Sequence, residues 1–159
     1  MSELKRLSTS AIPGALEKAE RYRFLNEPEE AQSICEDVLS IDPSNFDAMR
    51  MLILALSDSF PQNEKAGIDR ALELVARLPS EYDRAYYGGL VNERRVRAML
   101  GHGRDASEAE VLLRDAMRAF ERAEAVKPAD NDDALLRWNA CVRLLQRHPG
   151  LAVTDDSTS

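Results

Sequence analysis

Two cysteines, two histidines and several closely spaced arginines are the side chains with the widest chemical reach in this chain. A cysteine attacks as a thiolate only where a neighbouring positive charge or a helix N-terminus holds its pKa down. Cys35 stands in AQSICEDVL and Cys141 in LLRWNACVRLL, both among apolar neighbours at helix-interior spacing, where a thiol behaves as a small hydrophobe. Neither a disulfide nor a metal site is expected of them. His102 and His148 fall where helices should end, and His102-Gly103-Arg104-Asp105 lacks the surroundings of a phosphoryl-transfer loop. There is no glycine-rich phosphate cradle, no His-x-x-x-His pair and no serine nucleophile elbow. The reading is therefore of a protein that is not an enzyme and needs no cofactor.

Recognition is the chemistry that remains. Tyr86, Leu90, Arg94 and Arg97 recur at helical spacing and should share one face. Such a face sets apolar surface beside guanidinium groups, which can hold a carboxylate in a bidentate pair while their stems cover hydrocarbon. An acidic, partly hydrophobic peptide is the ligand it suits. The alternative stays open that Arg84, Arg94, Arg95 and Arg97 form a solvated face paired with Glu93, Asp83 and acidic loops. Trp138, in DDALLRWN, is a second candidate anchor, although Leu135 and Val142 beside it favour a place in the core. Asn131 or Asp132 reads as a helix cap.

The bulk numbers narrow the partner class. Of 159 residues, 44% are apolar and 31% charged, enough for a domain with its own core. With 28 acidic against 21 basic side chains the net charge is −7, a field that repels nucleic-acid phosphates and anionic lipid headgroups. Neither nucleic acid nor membrane is an expected partner. The opening MSELKRLSTSAIPG has no apolar segment of the secretory kind, and the longest apolar run, MLILAL, is too short to cross a bilayer. A reduced, cytoplasmic protein is the expectation.

These residues must be positioned by helices, because no alternating Val/Thr/Tyr run suggests a sheet. After a lead-in, 1–11, Leu16, Ala19, Tyr22 and Phe24 mark one helical side, with Pro13 in the first turn and Ser10 as its cap. Asn26 to Pro28 breaks the pattern, which Ala31, Ile34, Cys35, Val38 and Leu39 resume until Asp42-Pro43. Asn45, with Ser44, can cap a very apolar third helix through Leu56. An interval containing Phe60-Pro61 follows, and Asn63 can cap a fourth helix bearing Ile68, Ala71, Leu72, Leu74, Val75 and Leu78. A fifth should end at Gly101-His102-Gly103, and its Gly88-Gly89 implies close approach by a neighbouring helix. Ser107 and Glu110 have capping-box spacing at the start of a sixth, and a seventh should run to about His148 before a flexible tail, 149–159.

Residues 12–45 form a 34-residue helix-turn-helix that cannot bury its own apolar side, and Ala31 to Pro43 has the separation of Ala116 to Pro128. With Ala19-x2-Tyr22, Phe120 and Ala123, this pattern resembles the tetratricopeptide repeat. The family's early tryptophan is Ala15 here and its following leucine Lys18. The resemblance implies an α-α superhelix of about three helix pairs, 12–45, 46–80 and 81–130, with a capping helix over 131–148.

It also implies a concave groove lined by the first helix of each pair. Carried across, its positions are Leu16, Glu20 and Arg23 in the first pair and Arg50 and Leu54 in the second. The chaperone-docking subclass holds a terminal carboxylate with lysine and asparagine where this chain has Leu16 and Glu20, which disfavours that subclass. The expected function is an adaptor that binds a protein or peptide. The alternatives are a chaperone for a secreted or unstable client, and a structural solenoid that associates with its own copies.

Overall fold

The computed structural model describes residues 2–62, 64–103 and 106–151. The chain is all-α, with seven helices that pack against their neighbours, two short 3-10 turns, and no strand among the described residues. It divides into two compact units, Met1–Leu78 and Pro79–Ser159.

The first unit holds α1 (Ile12–Phe24), α2 (Pro28–Ile41), α3 (Phe46–Asp58) and α4 (Glu64–Arg77). A 3-10 turn, Thr9–Ala11, leads into α1, so Ala11 takes the N-cap position proposed for Ser10 and no side chain caps the helix. Pro13 costs little there because a first-turn N–H has no partner within the helix. At the other end Asn26 adopts a left-handed φ of 60°. Its N–H donates to the Arg23 carbonyl at 3.0 Å and the Glu27 N–H to that of Tyr22 at 2.8 Å, closing the open end of α1. Pro28, Glu29 and Glu30 then begin α2, with the two carboxylates at the positive end of its dipole.

Helix α3 is the centre of this unit and packs on α1, α2 and α4. It can do so because Ala48, Met49, Leu52, Ile53, Ala55 and Leu56 make it apolar on more than one side. The Asn45 Oδ1 accepts the Ala48 N–H at 2.9 Å, the cap the sequence suggests. Fully buried Ala19, Ala31, Ala48 and Ala71 let the helix axes come close. Phe60, from the interval after α3, is also fully buried and lies under Gly67 of α4. The cap proposed at Asn63 lies outside the described residues.

The second unit holds α5 (Glu81–Gly101), α6 (Ala106–Ala125) and α7 (Asp133–Arg147). Ser80 caps α5 by accepting the Asp83 N–H at 3.2 Å. Helices α5 and α6 form the most extensive pair of the unit, and Leu90, Val96 and Met99 of α5 and Leu113, Ala116 and Phe120 of α6 are all buried. The close approach implied by Gly88-Gly89 is made at Gly89, which faces the Phe120 ring. Ala106 already belongs to α6, so Ser107 sits inside its first turn and is not its cap. For α7 the capping acceptor is Asn131, whose Oδ1 takes the Asp133 N–H at 3.0 Å, while Asp132 pairs with Lys127 at 2.8 Å. Beyond α7, the expected flexible tail begins as structure: Pro149–Leu151 makes a second 3-10 turn because Leu151 is buried on α6 and α7. The rest of the expected tail, 152–159, is outside the described residues.

Candidate interaction surface

The candidate groove residues of the first unit lie on α1 and α3, which pack together. Leu16 and Leu54 are half-buried and Glu20 is exposed. Arg23 is held by Asp58 of α3, with Nε donating to Oδ2 at 2.8 Å and Nη2 to Oδ1 at 3.4 Å. Arg50 pairs with Asp47 one turn back on its own helix. A guanidinium already matched to a carboxylate gains little from a second one, so neither arginine is poised for an incoming anion.

In the second unit, Tyr86 is half-buried in an aromatic cluster, stacked on Tyr82 with centroids 5.7 Å apart and 6.0 Å from the Phe120 ring. Leu90 is 0% exposed and belongs to the core, so it offers no surface to a ligand. Arg94 is half-buried. The Arg97 Nε lies 3.7 Å from the Glu93 carboxylate.

Glu93 is the feature that the sequence reading placed differently. It is 0% exposed, at the meeting of α5 and α7, where its Oε2 accepts from Arg137 Nη1 at 3.3 Å and its Oε1 from the Cys141 thiol at 3.5 Å. Arg137 also reaches Tyr86, donating from Nε to the phenol oxygen at 3.4 Å. Two arginines thus neutralise one buried carboxylate, and the group ties α7 to α5. Its signal in the sequence is the spacing Ala85, Gly89, Glu93, Val96, which sets a glutamate within an otherwise apolar stripe.

Neither cysteine has the setting of a nucleophile. Both are buried and free. Burial pushes the Cys35 thiol up to about 12, helped by Glu36, and does the same at Cys141, helped by Glu93. No group of three or more His, Cys, Asp or Glu side chains among the described residues is arranged to hold a metal ion.

Open apolar surface gathers between α6 and α7. A cleft of about 450 Å³ is walled by Phe120, Ala125, Ala134, Leu135 and Trp138, with Glu121 and Glu124 as its charged members. Trp138 is half-buried, so it serves partly as core and partly as cleft wall. A smaller hollow of about 130 Å³ touches the same indole on the side of Arg114, Met117 and Arg118. Leu136, beside it on α7, is 61% exposed. These residues are left open because α7 packs mainly on α6 and its buried stripe is narrow: Ala134, Cys141 and Leu144.

Compared with protein-family models, with curated proteins and with solved structures, the chain finds no match. The surface is therefore read from its own chemistry. The first unit offers two other hollows, and they suit a docked segment less well. One, near the α1–α2 turn, is lined by Glu27, Glu29, Glu30 and Asp58 with other polar groups. The other is bounded by Leu7 and Ser10 of the lead-in with Ala15 and Lys18 of α1. No helix among the described residues is long and apolar enough to cross a membrane.

Proposed function

We propose that this chain is a non-catalytic, cytoplasmic protein-binding module built of tetratricopeptide-like helix pairs, and that the α6–α7 cleft beside Trp138 is where a partner protein anchors. The observation that carries the reading is the apolar wall there, with Leu135 and Trp138 lining a cleft of side-chain size and Leu136 exposed next to Leu135 in the chain. Tryptophan and leucine set in a hollow supply large contact area with little ordering cost when the helices that carry them are already packed.

Two links support the repeat-like pairing within the first unit. Arg70 binds Glu36 at 3.1 Å and the Arg77 Nη2 donates to the Pro43 carbonyl at 3.1 Å, each across 34 residues. A constant difference in number, and not a constant sum, means that α2 and α4 run in the same direction. Alternate helices do this when antiparallel pairs stack. The high thiol pKa values at Cys35 and Cys141 favour binding over thiol chemistry.

The test is affinity capture from native lysate with the wild-type chain and with Trp138→Arg, alongside melting curves of both. Partners recovered by the wild type and lost by the variant, with the variant still folded, are the expected result. Recovery of the same set by both would remove the cleft from the function.

A further inference from the structure

The charged members of the cleft specify the partner, given the reading of it as an anchor site. Glu121 is exposed and makes none of the ion pairs found among the described residues. Glu124 binds Lys127 through Oε1 at 3.0 Å and its Oε2 is buried with no hydrogen-bond partner, so it adds negative charge to the cleft wall while Glu121 is the carboxylate open to an incoming cation. Trp138 lines the same cleft, and the face of an indole attracts cations. In the smaller hollow that shares Glu121 and Trp138 with the cleft, Arg118 is already matched to Asp115 at 2.8 Å and Arg114 to Glu110 at 2.5 Å, so these cations are neutralised in place. A net charge of −7 adds long-range attraction for basic segments.

We propose that the α6–α7 cleft binds a basic amphipathic segment of a partner protein. An apolar side chain of that segment enters between Phe120, Leu135 and Trp138, and a flanking lysine or arginine meets Glu121 and the indole face, with the charge of Glu124 beside them. The chain's own residues 152–159, AVTDDSTS, suit the cleft poorly, because they bring Asp155 and Asp156 and no cation. A second copy brings the same acidic charge excess.

Trp138 is the single tryptophan of the chain and so reports on the cleft directly. The full-length protein is titrated, with tryptophan emission as the readout, against two tryptophan-free designed helical peptides of equal length, one of leucine and lysine and one of leucine and glutamate. The lysine peptide should shift the emission saturably and bind less tightly as salt rises. Glu121→Lys with Glu124→Lys should weaken it about tenfold. Glu29→Lys with Glu30→Lys, which changes the net charge equally in the other unit, should leave it nearly unchanged. Circular dichroism confirms that both variants fold, and Glu121→Lys alone, at an exposed position, repeats the comparison with the pair to Lys127 intact.

Equal weakening by both double variants would reduce the effect to general charge attraction and overturn the site. Tight binding of the glutamate peptide would overturn the basic partner while leaving the cleft as an anchor. Emission that depends on protein concentration without peptide would assign the cleft to a second copy. No response to either peptide overturns the basic segment. If Trp138→Arg still loses partners from lysate in that case, the anchor reading survives the loss.

Discussion

The Phe120 ring lies so close to the backbone of Gly89 that a β-carbon there would stand 2.8 Å from Cε1 and 3.1 Å from Cζ. Phe120 is 1% exposed and cannot swing aside, so the hydrogen on Gly89 is what lets α5 and α6 approach. Gly67 meets Phe60 in α4 under looser terms, with the nearest ring carbons 3.6 Å from the same construction. The two glycines should therefore respond oppositely to alanine. Gly89→Ala should lose about 1–2 kcal/mol, since overpacking outweighs the gain in helix propensity. Gly67→Ala should gain about 0.5–1 kcal/mol, since ordinary contact leaves the propensity term uncancelled. Urea unfolding midpoints at constant m-value decide it, and a stabilised Gly89→Ala would mean that the Phe120 ring leaves room for a β-carbon at Gly89.

Glu93 offers a second contrast. Its carboxylate meets Arg137 at 3.3 Å and Arg97 at 3.7 Å, and only the glutamate is fully buried. Glu93→Gln leaves the shape nearly unchanged but removes the charge that both arginines face, at a cost of about 1–3 kcal/mol. Arg97→Ala removes a longer contact from a more exposed side chain and should cost no more than about 1 kcal/mol. Melting temperatures rank the two variants, and a larger loss at Arg97 would place the weight of this cluster outside the α5–α7 contact.

The helices and most of their ends follow from local signals that the sequence displays. Asn45 caps α3, Pro28 opens α2, and Gly89 marks a close approach because each acts within a few residues or on one neighbour. The candidate surface was less legible. Arg23, Arg50 and Arg97 look alike as free cations in a sequence, yet their state depends on carboxylates, and Asp58 lies 35 residues from Arg23. Trp138 is visible in the sequence as a candidate, while its double role shows only in its half-buried place against α6. In the sequence Glu93 reads as a surface partner because charge on a helix is usually solvated, and only the packing of α7 shows it enclosed.

The buried thiols make an alkaline prediction. Each cysteine is raised from its ordinary 9.0 to about 12, so between those values the folded chain keeps a proton that the unfolded chain has lost. Stability from this source is complete below pH 9 and falls as pH rises towards 12. Tyr82, raised by burial and by Asp133 nearby, adds to the same decline, which makes cysteine substitutions necessary to apportion it. Cys35→Ala and Cys141→Ala should each flatten the fall of unfolding free energy with pH. At pH near neutrality neither thiol should react with a thiol reagent until denaturant is added, and rapid native labelling would contradict the burial of both.

Arg23 and Asp58 join α1 to α3, and their side chains are 15% and 20% exposed, enclosed enough for the two-point pairing to contribute to stability. Because the groove reading of the sequence assigns Arg23 to a ligand, the two roles predict different outcomes. A residue reserved for a ligand leaves stability nearly unchanged when replaced. A residue that bridges two helices destabilises, and does so together with its partner. Arg23→Ala and Asp58→Ala should each cost about 1–2 kcal/mol, and the double variant should cost clearly less than their sum, with a coupling energy of about 1 kcal/mol. Strict additivity would show that the two helices hold together without this pair and would return Arg23 to the surface available for binding.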